Sequence, residues 1–248
     1  MKILVCISSV PDTTSKINFT ADKSAFDKNG IQWVINPLDE FALTKAIKLQ
    51  ETQGATITIV TVGDASVEAV MRKALAIGAN DAIRINTDPV DSLTVAKEIA
   101  KVAQEGGYDL IIAGKESLDY NNAAVPGMIA QLLNQPFVNA CVGLEVNGTE
   151  ATAVREIEGG KETVSVKLPA VIAGQKGMVE EKDLIIPNMR GIMSARTKPL
   201  TVKEATETDV KVKAVSFDSV PARAQVKLVS ADNLDELVRL LHEEAKVI

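Results

Sequence analysis

Residues 1–115 alternate short apolar runs with amphipathic stretches, and this alternation restricts the possible folds more than any other feature of the chain. Ile3 to Ile7 is an apolar run that meets a polar loop, the pattern of a buried parallel strand ending at its carboxyl edge. Asn36-Pro37 opens a helix. Asn is suited to accept a hydrogen bond from a first-turn amide, Pro37 lacks the amide that would go unpaired there, and Asp39 and Glu40 suit the positive end of the helix dipole. Leu38, Phe41, Ala42, Ala46 and Leu49 form one apolar stripe, and Gly54 marks the stop. A strand over Thr56–Thr61, a helix from about Ser66 to Ile77 ended by Gly78, and a strand near Ala82–Ile85 follow. A helix from about Ser92 to Ala103 then leads into the buried strand Asp109–Ala113. The reading is an α/β fold: a doubly wound, mostly parallel sheet with helices on both faces.

Ligands of such sheets sit beyond the carboxyl ends of the strands, where connections diverge. Four loops meet that requirement: Ser8–Thr14, Asn36–Asp39, Val62–Ser66 and Gly114–Asn122. The last two carry Gly63 and Gly114 ahead of helix starts whose free amides can hold an anion, which suits a mononucleotide. The alternative is that both glycines simply permit tight turns. Neither G-x-G-x-x-G nor G-x-x-x-x-G-K-[ST] occurs, so the chain lacks a dinucleotide fingerprint and a Walker loop.

At 248 residues the chain can bury one sizeable core, or one domain plus an appendage. Aromatics at 3% provide few stacking platforms for bases, and a net charge of −6 disfavours a general polyanion binder, so nucleic acid is not an expected partner. Cys6 and Cys141 each lie in an apolar run and read as reduced core thiols. No apolar run has the length of a membrane span, and the N-terminal strand meets its polar loop too early for a signal peptide, so the expected location is cytoplasmic. The only histidine, His242, stands beside Glu243 and Glu244 in a closing amphipathic helix and reads as a surface or packing residue. No metal site and no catalytic residue are expected. Ser8, Ser9, Asp12 and Asp119 are better read as turn or ligand-holding residues than as acid–base groups.

After Val154 the character changes. An alternating ribbon turns at Gly159-Gly160, with Val164, Val166 and Leu168 on one face and Thr163, Ser165 and Lys167 on the other, which predicts a β-hairpin extension. Ala170–Gly174 reads as a strand covered on both faces. Ile185–Met193 mixes apolar residues with Pro187 and Gly191 and reads as a loop. Its Ile and Met side chains either anchor a partner or plug the core. Domain organisation is read as 1–200 for the α/β domain with hairpin and loop, and 201–248 for a C-terminal arm. In that arm Thr201–Lys213 is extended, Gln225–Val229 is a strand, and a helix from Asp232 or Asn233 buries Leu234, Leu237, Val238 and Leu241. The arm is too small for a core of its own and is expected to pack on the first domain or on a partner subunit.

The pattern V-R-E-I-E-G-G-x-E-T from Val154, then K-L-P-A-V, then N-M-R-G-I-M and a basic stretch before Pro199, resembles the signature region of electron transfer flavoprotein beta subunits. The resemblance runs from Met1-Lys2-Ile3-Leu4-Val5 through Asn36-Pro37 and Gly114-Lys115 to the C-terminal helix. It implies a heterodimer with an alpha subunit that holds most of the redox FAD, and AMP, or in electron-bifurcating members a second FAD, in the beta subunit. By the same resemblance the nucleotide lies against Cys6, Asn36, Pro37, Leu38, Asp39, Val62, Gly63, Gly114, Lys115, Asp119, Asn121, Asn122, Ala123, Ala124 and Val125. Thr13 and Leu38 face the FAD.

The small side chains at Asn122-Ala123-Ala124-Val125 depart from the polar residues of many members, so phosphate contacts there come mainly from backbone amides. Glu156 matches a docking glutamate, and Met189 the anchor of a recognition loop that includes Ile186, Ile192 and Met193. The implied partners are acyl-CoA dehydrogenases as donors and a membrane quinone oxidoreductase as acceptor. Two other readings are a stand-alone adenine-nucleotide sensor, disfavoured by the hairpin, loop and arm, and a nucleotide hydrolase or ligase, disfavoured by the missing phosphate motif.

Overall fold

The computed structural model describes residues 1–207, 209–223 and 225–248. In chain order the elements begin with β1 (Lys2–Cys6), β2 (Ser9–Pro11), β3 (Trp33–Ile35), α1 (Pro37–Gln53), β4 (Thr56–Val62), α2 (Glu68–Ile77), β5 (Asp81–Asn86) and α3 (Ser92–Gly106). They continue with β6 (Leu110–Gly114), α4 (Val125–Leu133), β7 (Phe137–Asn147), β8 (Glu150–Ile157), β9 (Gly160–Lys167) and β10 (Ala170–Gly174). The last are α5 (Met189–Ala195), β11 (Leu200–Glu204) and α6 (Leu234–Arg239).

Among the described residues, a nine-stranded sheet runs in the order β11-β5-β4-β1-β6-β10-β7-β8-β9. It is parallel from β11 to β7, and β7, β8 and β9 pair antiparallel as the hairpin extension. The period-2 alternation of β1 shows why both faces must be covered. Ile3, Val5 and Ile7 join the layer beneath α1 and α2, whereas Leu4 and Cys6 join the layer beneath α3 and α4. Helices on both faces of a mostly parallel sheet are the doubly wound α/β fold read from the sequence. Val164, Val166 and Leu168 turn toward the α1 layer as the hairpin pattern requires.

Local signals explain the element ends. Gly54 closes α1 in the left-handed conformation at φ 67, and the Asp91 side chain caps α3 by accepting from the Thr94 amide. Asn36 departs from the expected cap. Its side chain makes no capping bond to α1, and only its carbonyl accepts from the Asp39 and Glu40 amides.

The C-terminal reading needs three corrections. Thr201–Lys213, read as an extended arm, instead begins within β11, which runs in parallel register with β5 from Leu200 opposite Ala82 to Glu204 opposite Asn86. As an edge strand it tolerates the charged Lys203 and Glu204 that made the segment look like an arm. The strand expected at Gln225–Val229 does not form. It has no ladder neighbour among the described residues, and a lone strand leaves its amides unpaired. In the closing helix Leu234, Leu237 and Val238 are exposed although they share one face of α6, Leu241 is half-buried, and Leu240, where a π-helical turn over Leu240–Ala245 begins, is the residue that is buried.

The chain divides into two compact units. Met1–Ile17 and Lys28–Val215 carry the sheet. Asn18–Asp27 and Ser216–Ile248 form the second unit, in which Phe19 stacks on Phe217 at 5.3 Å between ring centroids and the Phe217 amide donates to the Lys23 carbonyl at 2.9 Å.

Candidate functional site

The winding of the sheet reverses beside β1. The chain passes from β1 to β4 and β5 on one side, then crosses to β6 and β10 on the other. Connections leaving β1 and β6 therefore diverge and open a crevice over their carboxyl ends. Parallel register brings Cys6, the Val62-Gly63 end of β4 and Gly114 to the same edge.

Asp39, in the first turn of α1, spans this crevice. Its Oδ2 accepts from the Ser8 amide at 2.7 Å and its Oδ1 from the Gly114 amide at 2.8 Å. The residue is 3% exposed, and burial pushes its carboxyl up to about 7 against the pull of the Ser8, Asn36 and Gly114 hydrogen bonds. A Cβ at position 114 would lie 2.4 Å from Asp39 Oδ1 and 2.8 Å from Leu38 Cβ, so the approach depends on Gly114. Asn36 is also buried. Its Nδ2 donates to the Glu116 carbonyl at 2.9 Å and its Oδ1 accepts from the Leu118 amide at 3.3 Å, tying the loop after β6 to α1. Asn36 and Asp39 thus hold the crevice loops together with their side chains. Cys6 packs in the layer beneath α3 and α4, and burial, followed by the Asp39 charge, drives its thiol well above the ordinary range.

The loop into α4 is held by backbone and side-chain bonds alike. Lys115 donates its amide to the Gly174 carbonyl at 2.7 Å, and its Nζ stands 3.6 Å from Glu116. Asn121 and Ala123 adopt left-handed φ values of 48 and 49. Asn122 Nδ2 donates to Ser92 Oγ at 2.8 Å, and Asp119 is exposed. Ala124 supplies no side-chain cap to α4, Pro126 has no amide, and Val125 starts the helix. An uncapped helix start behind small side chains fits a phosphate group approached by backbone amides. The residues present therefore suit a phosphorylated nucleotide.

The segment read as a loop at Ile185–Met193 forms α5 from Met189 onward. Asn188 caps it through Oδ1, which accepts from the Gly191 amide at 2.8 Å. Gly191 read as a helix breaker, but it lies within α5 because a Cβ there would sit 2.3 Å from the Ala76 carbonyl oxygen of α2. Ile186, Met189 and Met193 are 82%, 73% and 66% exposed, and Ile192 is also exposed. These side chains do not plug the core; Ile185 is the one packed against it. An open groove of about 630 Å³ between α2 and α5 is lined by Arg72, Lys73, Pro187, Ile192 and Arg196 among others.

The electron transfer flavoprotein domain model matches residues 24–208. The chain is 35% identical to the electron transfer flavoprotein subunit beta of Bacillus subtilis (strain 168), an alignment of 262 residues that covers 100% of both chains. The chain belongs to the electron transfer flavoprotein beta-subunit family. Identity is 33% to the subunit beta of Bradyrhizobium diazoefficiens and 32% to the mitochondrial subunit beta of Oryza sativa subsp. japonica, each with 100% of both chains covered.

In this member of the electron transfer flavoprotein family, Cys6, Val62, Gly63 and Gly114 reach one sheet edge, Asn36–Asp39 meet it from the start of α1, and Lys115, Asp119 and Asn121–Val125 follow in the loop into α4. The two expected at FAD differ in setting: Leu38 backs onto Gly114, and Thr13 is exposed in the loop after β2. Expected docking residues occupy separate elements. Glu156 lies on β8 and accepts from Gln175 Nε2, whereas Ile186, Met189, Ile192 and Met193 lie on or just before α5. Among the described residues no group of His, Cys, Asp and Glu is arranged to hold a metal ion, and no helix is long and apolar enough to cross a membrane.

Sequence reasoning missed Ser8 as an amide donor to Asp39, and Arg84. The Arg84 guanidinium is buried on β5, donates to the Gly63 carbonyl at 3.0 Å and to Asn86 Oδ1 at 2.7 Å, and pairs with Glu68 at 2.9 Å. It fixes the Val62-Gly63 end of the crevice. The available signal was an arginine inside the apolar strand Ala82–Ile85.

Proposed function

We propose that this chain is the beta subunit of a heterodimeric, cytoplasmic electron carrier. It binds AMP in the β1–β6 crevice, completes an FAD site with an alpha subunit, takes electrons from acyl-CoA and related flavin dehydrogenases, and delivers them to a membrane quinone oxidoreductase. The observation that carries this reading is the exposed apolar set on and beside α5, displayed by a protein of a flavoprotein family. Reversible electron uptake is the chemistry that FAD supplies when bound. The chain's own residues bind, position and dock. Asp39 and Asn36 keep the crevice loops in place, the start of α4 receives a phosphate, and Leu38 and Thr13 form part of a wall toward the partner subunit. AMP carries a single phosphate, which suits the uncapped start of α4.

Burying one anchor such as Met189 in a dehydrogenase pocket contributes about 1.5–3 kcal/mol, enough for selectivity without a long-lived complex. Glu156, held by Gln175, lies on the hairpin and places charge at a second contact. Val220, Val226, Leu228, Leu234 and Val238 are apolar and exposed along the C-terminal segment, which supports its packing on the alpha subunit. The test is to purify the co-expressed heterodimer and mix it with a substrate-reduced acyl-CoA dehydrogenase while following flavin absorbance. Rapid bleaching that depends on both subunits supports the reading, and absence of transfer from any acyl-CoA dehydrogenase tried contradicts it.

A further inference from the structure

We propose that α2 is a pedestal holding α5 in its docking pose, through reciprocal end caps centred on Arg72 and Lys198 and a backbone contact at Gly191. The inference rests on the docking reading above and deepens it. α5 has seven residues, too few to persist as an isolated helix. Its order comes from α2. Arg72, on α2, donates from Nη1 to the Ala195 and Lys198 carbonyls, both at 2.8 Å, and so occupies the acceptor of the last residue of α5 and one in the segment that follows it. Lys198, just beyond α5, donates from Nζ to the Leu75 carbonyl at 2.8 Å and the Ala79 carbonyl at 2.6 Å, and so occupies one acceptor in the last turn of α2 and one just past its end. Each helix is thereby closed by a cation from the other segment. Between the two caps, the Gly191 backbone approaches the Ala76 carbonyl more closely than any side chain would allow.

The consequence is a preformed anchor. Ile186, Met189, Ile192 and Met193 face outward beside the cationic Arg190 and Arg196, a surface matched to a donor flavoprotein whose apolar pocket has an acidic rim. A segment already ordered loses less conformational entropy on docking than a mobile loop. Arg72, Gly191 and Lys198 are positioning residues in this scheme, since they act through α5. The burial that lowers the proton affinity of the Lys198 ammonium agrees with its role as an interior cap.

The test uses the co-expressed heterodimer with its cofactors and a substrate-reduced acyl-CoA dehydrogenase as donor. Variants are Met189→Ala, Lys198→Met, Lys198→Arg and Gly191→Ala, read by the KM and kcat for electron uptake, flavin content and amide hydrogen exchange over residues 189–195. The expected result is a KM raised about tenfold in Met189→Ala, Lys198→Met and Gly191→Ala, with kcat and flavin content kept. Exchange accelerates in Lys198→Met and Gly191→Ala only, and Lys198→Arg restores both KM and exchange. If Met189→Ala raises KM while Lys198→Met and Gly191→Ala leave KM or exchange unchanged, the pedestal is overturned and the docking reading stands. If Met189→Ala leaves KM unchanged, the docking reading fails and the pedestal's function fails with it.

Discussion

The Gly114 amide donates to Asp39 Oδ1 at 2.8 Å, joining the end of β6 to the first turn of α1. Because the other oxygen of the same carboxylate takes the Ser8 amide, one side chain sets the separation between the loops that follow β1 and β6. The crevice in which a nucleotide is proposed to sit is therefore shaped by a buried carboxyl group that faces backbone donors.

Replacing Asp39 with Ala strands the buried Gly114 amide and the partly buried Ser8 amide. At roughly 1–3 kcal/mol for each unsatisfied group, Asp39→Ala should lower unfolding stability by about 2–6 kcal/mol and speed hydrogen exchange at Ser8 and Gly114. Urea denaturation and exchange measure both effects. Unchanged stability would show that the carboxylate does not hold the loops.

Asp39 also sets a pH dependence. Burial raises its carboxyl from 3.8 to about 7, so its contribution to stability is fully present below the lower value and is lost as pH rises through the upper one. Wild type should lose stability relative to Asp39→Asn between about pH 4 and pH 7, since the amide does not titrate there. A difference that stays flat in urea melts across that interval would contradict the buried-carboxyl account.

Gly114→Ala places a Cβ against Asp39 Oδ1 and Leu38 Cβ, neither of which is the far end of a long flexible side chain. The expected cost is about 1–3 kcal/mol, with loss of co-purified nucleotide. Retention of full stability and nucleotide would show that the crevice yields freely.

Much of the fold was legible because the physics is local. The apolar run Ile3–Ile7, the Asn36-Pro37 start, the Gly54 stop and the alternation through Val164, Val166 and Leu168 each report a backbone period or a cap. Contacts distant in sequence were hidden. Nothing near Asp39 reveals that its acceptors meet Ser8 and Gly114, and Gly191 looks like a breaker until Ala76 lies against it. β11 was hidden because an edge strand needs little apolar character once a neighbour supplies its ladder.

The root of the C-terminal segment is fastened to α3 by two carboxylates. Glu98 Oε1 accepts from the Thr206 and Glu207 amides at 2.7 and 2.6 Å, and Asp91 Oδ2 from the Lys211 and Val212 amides at 2.6 and 3.1 Å. Asp91→Ala should cost about 0.5–2 kcal/mol through the lost α3 cap and accelerate exchange at Lys211 and Val212. The Thr94 amide is the largest cause holding the Asp91 carboxyl below its usual range, so wild type should keep this attachment at ordinary pH and lose it only as pH falls through that depressed value. Exchange at Lys211 and Val212 that is equally fast in both proteins would rule out the fastening.

The most direct test of the central claim, that this chain lends a nucleotide crevice and an FAD wall to a partner subunit, is a cofactor count on the complex co-purified with its alpha subunit. The account predicts one FAD and one AMP per heterodimer, with AMP lost first in Gly114→Ala. Two FAD per heterodimer would contradict the AMP assignment, and a cofactor-free chain that never associates with an alpha subunit would contradict the account as a whole.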